Sequence, residues 1–155
     1  MIAVLQRIKS ATVYADKAFS GSVQGGLYIL LGVANGDTEA DSIALAEKIS
    51  KLRIFCDENG KMNLSAIDVD AEAFVVSNFT LNANYSHGNR PDYFASAAPT
   101  EANRLYEHFV NQLSCKLRKV ETGVFGADME TEMVTDGPVT IVMDSKVLLA
   151  GKRKQ

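Results

Sequence analysis

Apolar and polar positions alternate over residues 1–9, with Val and Ile prominent, which is the two-residue period of a half-buried strand. Residues 11–15 (ATVYA) read as a second strand, and Gly21, Gly25 and Gly26 punctuate the next stretch. Residues 27–33 (LYILLGV) form an unbroken apolar run, which predicts a strand buried on both faces. The period then changes. Thr38-Glu39-Ala40-Asp41 has the form of a capping box. Ile43, Ala44, Ala46, Ile49 and Leu52 recur at helical spacing, predicting an amphipathic helix over about 38–54. Asp57-Glu58-Asn59-Gly60 reads as a turn; it is not a calcium loop, because Met62 stands where such a loop needs glycine. Residues 71–81 predict a strand and 82–91 a polar loop. Pro99-Thr100 opens a second helix with Ala102, Leu105, Tyr106, Phe109, Val110 and Leu113 on one face. Residues 117–123, 130–135 and 139–149 predict further strands.

Two early strands precede the first helix, so the order is not a simple βαβ alternation. The expected fold is α+β: a curled, mostly antiparallel or mixed, barrel-like sheet with two main helices. Residues 1–150 are expected to form one domain, and 151–155 a frayed basic tail.

One stretch, VTDGPVTIV (134–142), resists the strand reading at its centre. Asp-Gly suits a two-residue hairpin. Yet Pro138 has no N–H to close the turn, and a residue before proline is driven to extended backbone. Asp136-Gly137-Pro138 is therefore read as an interruption and not a tight turn.

Composition narrows the class. The chain has 155 residues, 46% apolar and 23% charged, as an ordinary globular protein has. Its net charge of −3 disfavours a general nucleic-acid binder. Cys56 and Cys115 form no CxxC pair, so neither a disulfide framework nor a zinc site is expected. No apolar run reaches the ~20 residues that span a bilayer, and the first residues do not resemble a signal peptide. A cytoplasmic location is expected, with no cofactor and no metal.

Candidate chemistry is sparse. There is no P-loop, dinucleotide fingerprint, HExxH or GxSxG. His87 and His108 are the only histidines, and neither has a convincing triad partner nearby. Cys56 is not expected to act as a nucleophile, since no basic neighbour or helix N-terminus is apparent at it in the sequence. Ser77-Asn78-Phe79-Thr80-Leu81 follows the apolar Phe74-Val75-Val76. On a strand, Asn78 and Thr80 would share one face, and Ser77 and Phe79 the other.

SNFTL resembles the SQFTL motif of the D-aminoacyl-tRNA deacylases, and TDGPVT resembles their NxGPVT motif. AVLQRI, LLGVANGDTEAD, LRIFCDENGKMN, NRPDYFASAAP and KVETGVFGADM resemble further family segments in the same order, to about Ser145. Asn78 stands where the family has Gln, and Thr135 where it has Asn.

The resemblance implies hydrolysis of the ester joining a D-amino acid, or glycine, to the terminal adenosine of tRNA, with L-aminoacyl-tRNA spared. It implies a homodimer in which each chain lends its Gly-Pro step to its partner's site. The family's matching Gly-Pro bond is cis, which sets two carbonyl oxygens side by side to accept from the substrate ammonium. An L side chain would then meet the Gly137-Pro138 wall and a D side chain would point away. Thr80 matches the catalytic position, whether through its hydroxyl or its backbone N–H. Ser77, Asn78 and Phe79 would shape the adenosine pocket, Arg7 would brace the Gly-Pro step, and Gly126, Ala127 and Met129 would form a pocket wall. The adenosine 2′-hydroxyl could itself direct the water. The alternatives are an inactive dimeric RNA-binding relative, and a relative of relaxed chirality with a trans Gly-Pro bond. Binding to RNA is expected to be weak and salt-sensitive.

Overall fold

The computed structural model describes residues 1–152. In chain order the elements are β1 (Ile2–Ala15), β2 (Ala18–Gly32), α1 (Glu39–Lys51), β3 (Phe55–Cys56), β4 (Met62–Leu64) and β5 (Glu72–Ser77). A 3-10 helix (Phe79–Asn82), α2 (Pro99–Ser114), β6 (Lys119–Thr122), β7 (Met129–Asp144) and α3 (Ser145–Lys152) complete the order. Five strands form one mixed sheet in the order β6-β5-β2-β1-β7, and β3 pairs β4 around the Asp57–Gly60 turn. β1 runs antiparallel to β2 and β7, while β2–β5 and β5–β6 are parallel.

The α+β class stands, but the barrel does not. β6 and β7 are the two free edges of an open sheet. Helices close the core instead: Leu5, Leu27, Ile29, Leu31 and Val75 pack with Leu45 and Ile49 of α1 and Leu105, Phe109 and Leu113 of α2. A smaller cluster, centred on Tyr28, Phe74 and Val76, lies on the other side of the sheet. The run 27–33 is thus buried on both faces, as its unbroken apolar character predicts.

Expected breaks in the first two strands are bulges inside longer ones. Ala3 and Leu5 face the helices, whereas Ala11 and Val13 face the opposite cluster. The alternation slips at Lys9, an extra residue opposite the Thr135–Val134 step. β2 slips at the same level, through Gly25 (φ 68°) and Gly26 (φ 150°). A Cβ on Gly26 would overlap the Glu72 backbone, so only glycine permits β5 to pair there.

The stretch 139–149 is not one strand: β7 stops at Asp144 and α3 begins at Ser145. Asp144 Oδ1 accepts the Lys146 N–H at 2.8 Å, capping the helix. There are therefore three α-helices among the described residues, not two. Of the basic tail, Gly151 and Lys152 end α3, and 153–155 lie outside the described residues.

α1 starts at the expected box. Asp41 Oδ2 accepts the Thr38 N–H at 2.8 Å and the Thr38 hydroxyl at 2.9 Å, and Asp41 Oδ1 accepts the Ser145 hydroxyl at 2.7 Å. Burial alone would raise the Asp41 carboxyl. The hydrogen bonds from Ser145 and Thr38, with the Met1 ammonium nearby, outweigh it and hold the group below its ordinary value. A depressed folded pKa stabilises the fold above the unfolded value and stops doing so as pH falls through the folded one. The urea midpoint should be flat from about pH 7 to pH 5 and drop below about pH 4. Asp41→Asn should remove part of that drop; an unchanged acid limb would show that the carboxylate contributes nothing.

Candidate active site

β5 ends where chemistry could begin. Asn78 N–H still donates to Leu31 O at 2.8 Å, after which the backbone turns into the 3-10 helix. Asn78 caps that helix: its Oδ1 accepts from the Thr80 N–H at 3.2 Å and from the Thr80 hydroxyl. Gly32 lets the helix lie against β2, since a Cβ there would sit 3.0 Å from Asn78 O and from Leu81 Cβ. The expected strand over 71–81 is thus cut short at Ser77, because the Asn side chain offers the backbone a competing local bond. The short amide reaches back onto its own helix.

Beside this turn lies a cavity of about 720 Å³, lined by Leu31, Val33, Ser77, Phe79, Tyr93, Phe94, Tyr106, Phe125, Gly126 and Ala127, among others. Such a size encloses one small ligand. Phe79 and Tyr93 meet edge to face, with ring centres 5.0 Å apart. Ser96 Oγ donates to Phe79 O at 3.1 Å, and Asn35 Nδ2 donates to Phe94 O at 2.9 Å, which ties the wall to the 3-10 helix and to the turn after β2. Tyr106 donates its hydroxyl to Val75 O at 2.8 Å. Burial, against the opposing Thr122 hydrogen bond, pushes that phenol well above its ordinary value, so it stays neutral.

Among the described residues no Asp, Glu, His, Lys, Arg or Cys lines the cavity. Thr80, exposed beside it, donates its hydroxyl to an amide oxygen, which cannot take up the proton. Ser77 and Phe79 line the cavity while Asn78 and Thr80 engage each other. Of the expected wall, Gly126 and Ala127 are present; Met129 instead packs with the cluster on the other side of the sheet. Sequence reasoning does not single out Tyr93, Phe94 and Tyr106 as cavity residues. The aromatic pair in NRPDYF is the available signal for the first two, and Tyr106 reads as an ordinary core position.

The Gly-Pro step is elsewhere in the chain's own architecture. β7 is continuous through it, but residues 136–139 stand opposite Arg7 alone, between the Gln6–Thr140 and Ile8–Thr135 pairs. This is an interruption within a strand, as the missing proline N–H predicts. The Gly137–Pro138 bond is cis, and Gly137 has φ 147°. A Cβ there would strike the Val139 backbone nitrogen.

Arg7 is only 8% exposed and is not a surface residue at a strand end. Its Nε lies 3.2 Å from Asp136 O and 2.8 Å from Asp136 Oδ2, and its NH1 donates to Ile54 O at 2.5 Å. Arg7 therefore grips the residue before Gly137 rather than the Gly-Pro carbonyls. Neither Gly137 nor Pro138 lines the cavity beside Phe79 within this chain. Among the described residues no group of three or more His, Cys, Asp or Glu could hold a metal ion, and no helix is long and apolar enough to cross a membrane.

Comparison with known proteins places this geometry. The D-Tyr-tRNA(Tyr) deacylase family model matches residues 4–144. A D-aminoacyl-tRNA deacylase of Caldicellulosiruptor saccharolyticus is 52% identical over 146 residues, covering 94% of this chain and 98% of the relative. One from Thermosipho africanus is 51% identical with the same coverage. A solved structure described as c-Myc DNA unwinding element binding protein superposes with a TM-score of 0.87 at 35% identity, over 93% of this chain and 98% of that one. The matched span includes β1 with Arg7, the 3-10 helix with Thr80 and the bulge of β7, and the chain belongs to the D-Tyr-tRNA(Tyr) deacylase family.

Proposed function

We propose that the chain hydrolyses the ester bond of D-aminoacyl-tRNA and of glycyl-tRNA, releasing the free amino acid and tRNA, and rejects L-aminoacyl-tRNA. The observation that carries this reading is a mainly apolar cavity, walled by Phe79 and Tyr93, without an acid or base side chain in its lining. Such a site suits a stacked adenosine better than side-chain acid–base chemistry. Water attacks the ester carbonyl, the bond to the ribose oxygen breaks, and that oxygen takes the proton. The adenosine 2′-hydroxyl orients the water, because Thr80 has no base to activate it. Ser77 and Phe79 hold the nucleoside, Asn78 fixes Thr80, and Thr80 faces the ester.

Chirality is read by the Gly137–Pro138 step of a second copy. Gly137 has no side chain, so backbone approaches the substrate α-carbon closely. The carbonyls there accept from the ammonium, an L side chain meets the wall, and a D side chain points out to solvent. This filter excludes a shape without choosing a side chain, so broad substrate range results. Exposed Val134 and Val142 on the free edge of β7, and Val147 on α3, are apolar surface for such a homodimer. The place of action is the cytoplasm, where aminoacyl-tRNA is made.

The test is a paired assay with D- and L-aminoacyl-tRNA, with Thr80→Ala alongside. The D ester should be cleaved and the L ester left intact, and Thr80→Ala should keep its rate within about tenfold. No amino acid released at micromolar enzyme would end the proposal in favour of an inactive RNA-binding relative. Complete loss in Thr80→Ala, with Thr80→Ser active, would move the chemistry onto the hydroxyl.

A further inference from the structure

Residues 84–92 form a loop whose two feet stand on the wall of the cavity. The 3-10 helix with Phe79 precedes it, and Tyr93 and Phe94 come directly after it. Its base is clasped: Asn84 N–H donates to Asp92 O at 2.9 Å, Asp92 N–H donates to Asn84 O at 3.0 Å, and Asn84 Nδ2 donates to Asp92 Oδ2 at 3.0 Å. Asn84 Oδ1 also accepts from the Ser86 N–H at 3.1 Å and the Ser86 hydroxyl at 2.8 Å. The loop is therefore a built projection, yet residues 84–91 are all exposed.

Its chemistry is one-sided. Tyr85 is 80% exposed although it is a large aromatic. Arg90 makes no ion pair among the described residues. The one carboxylate of the loop, Asp92, is engaged by Asn84 through Oδ2 and by the Phe94 N–H through Oδ1 at 3.3 Å. On a chain of net charge −3, one short loop carries both a guanidinium without an ion pair and an exposed aromatic ring. A protein partner would call for a contiguous apolar patch, and within the loop Tyr85 is flanked by the polar Asn84, Ser86, His87 and Asn89; the other exposed aromatics, Phe79, Tyr93 and Phe94, belong to the cavity wall. A single strand of nucleic acid calls for this pairing: a flat ring for a base and a cation for a phosphate.

We infer that the loop over residues 84–92 docks the unpaired strand that precedes the terminal adenosine, with Tyr85 stacking on a base and Arg90 pairing with a phosphate. The inference rests on the adenosine occupying the cavity, because the strand then leaves across this rim. It makes the loop a second binding element, separate from the groups that act on the ester.

The experiment compares binding of adenosine 5′-monophosphate with that of an RNA tetranucleotide carrying no amino acid, ACCA, to the full chain and to its Tyr85→Ala and Arg90→Ala variants. Neither residue packs in the core, so both variants should fold. The tetranucleotide should bind at least about tenfold more tightly than the mononucleotide, and Tyr85→Ala should lose on the order of tenfold of that. Arg90→Ala should reduce the slope of log affinity against log salt by about 0.7. The mononucleotide should bind all three proteins alike. With charged substrates, both variants should raise KM for D-aminoacyl-tRNA at constant kcat and leave cleavage of a D-aminoacyl-adenosine unchanged. Equal binding of the two ligands by the unaltered chain overturns the loop's role, and so does equal weakening of both ligands in the variants. A chain that hydrolyses no ester fails the proposed function, while the binding comparison still judges the loop.

Discussion

Arg7→Ala is expected to lower kcat/KM for D-aminoacyl-tRNA on the order of 100-fold, the scale of a misplacement of about 1 Å at a reacting centre. The side chain reaches Asp136 O, Asp136 Oδ2 and Ile54 O from one planar group. It is the one β1 residue opposite the bulge at 136–139. Removing it frees the bulge while leaving the ladder on either side intact. The stability cost should be smaller, about 2 kcal/mol, because hydrogen bonds of a charged group are lost but the Asp136 side chain is 41% exposed and can be rehydrated. Arg7→Lys should restore little, since one ammonium cannot serve three acceptors in two directions. The measurements are steady-state kinetics and a urea melt. Wild-type kinetics in a folded Arg7→Ala protein would show that the bulge holds its shape without the guanidinium.

Asp37→Ala is expected to cost about 3–5 kcal/mol of folding stability, the range for stripping the partner from a buried ion. The Asp37 side chain is fully buried, with Oδ2 2.8 Å from the Met1 ammonium and 2.7 Å from the Ala34 N–H that donates to it. The ammonium also donates to Ser145 Oγ at 2.9 Å, and Ser145 donates to Asp41. This one cluster joins the start of β1, the cap of α1 and the first turn of α3. Alanine would leave the ammonium with one neutral hydroxyl and only the more distant Asp41 carboxylate as counter-charge, and would orphan the Ala34 N–H. Asp37→Asn keeps an acceptor and should lose less. Urea midpoints at neutral pH measure both, and a loss below about 1 kcal/mol in Asp37→Ala would mean that water reaches the pair.

Some of this architecture is legible residue by residue. The capping box at Thr38 and Asp41 stands where the pattern puts it, and α1 begins there. α2 begins at Pro99 and buries Leu105, Tyr106, Phe109 and Leu113. The face of α1 differs in detail from the one its spacing predicts: Ile43 is 41% exposed while Leu45 is fully buried. Spacing alone admits both, and the position of α2 chooses between them. α3 is hidden in the sequence because the apolar residues on both sides of Asp144-Ser145-Lys146 read as one strand, and the break at Ser145 is fixed by its hydroxyl lying between the Met1 amine and Asp41.

By itself the sequence determined the short-range features: the periods of most strands and of both long helices, the box that starts α1, and the impossibility of closing a tight turn at Pro138. These come from backbone preferences and from burial along one dimension. It also carried the motifs that mark the family. Tertiary structure alone decided that the sheet stays open, that β1 and β2 change faces together at Lys9 and Gly25–Gly26, and that Arg7 is buried against Asp136, 129 positions away. It also gathered Phe79, Tyr93, Tyr106 and Phe125 around one cavity. Those outcomes depend on which distant strand supplies each buried polar group with a partner and which helix covers each apolar face. A buried charge left unpaired costs several kcal/mol, and no local pattern records where its partner will be.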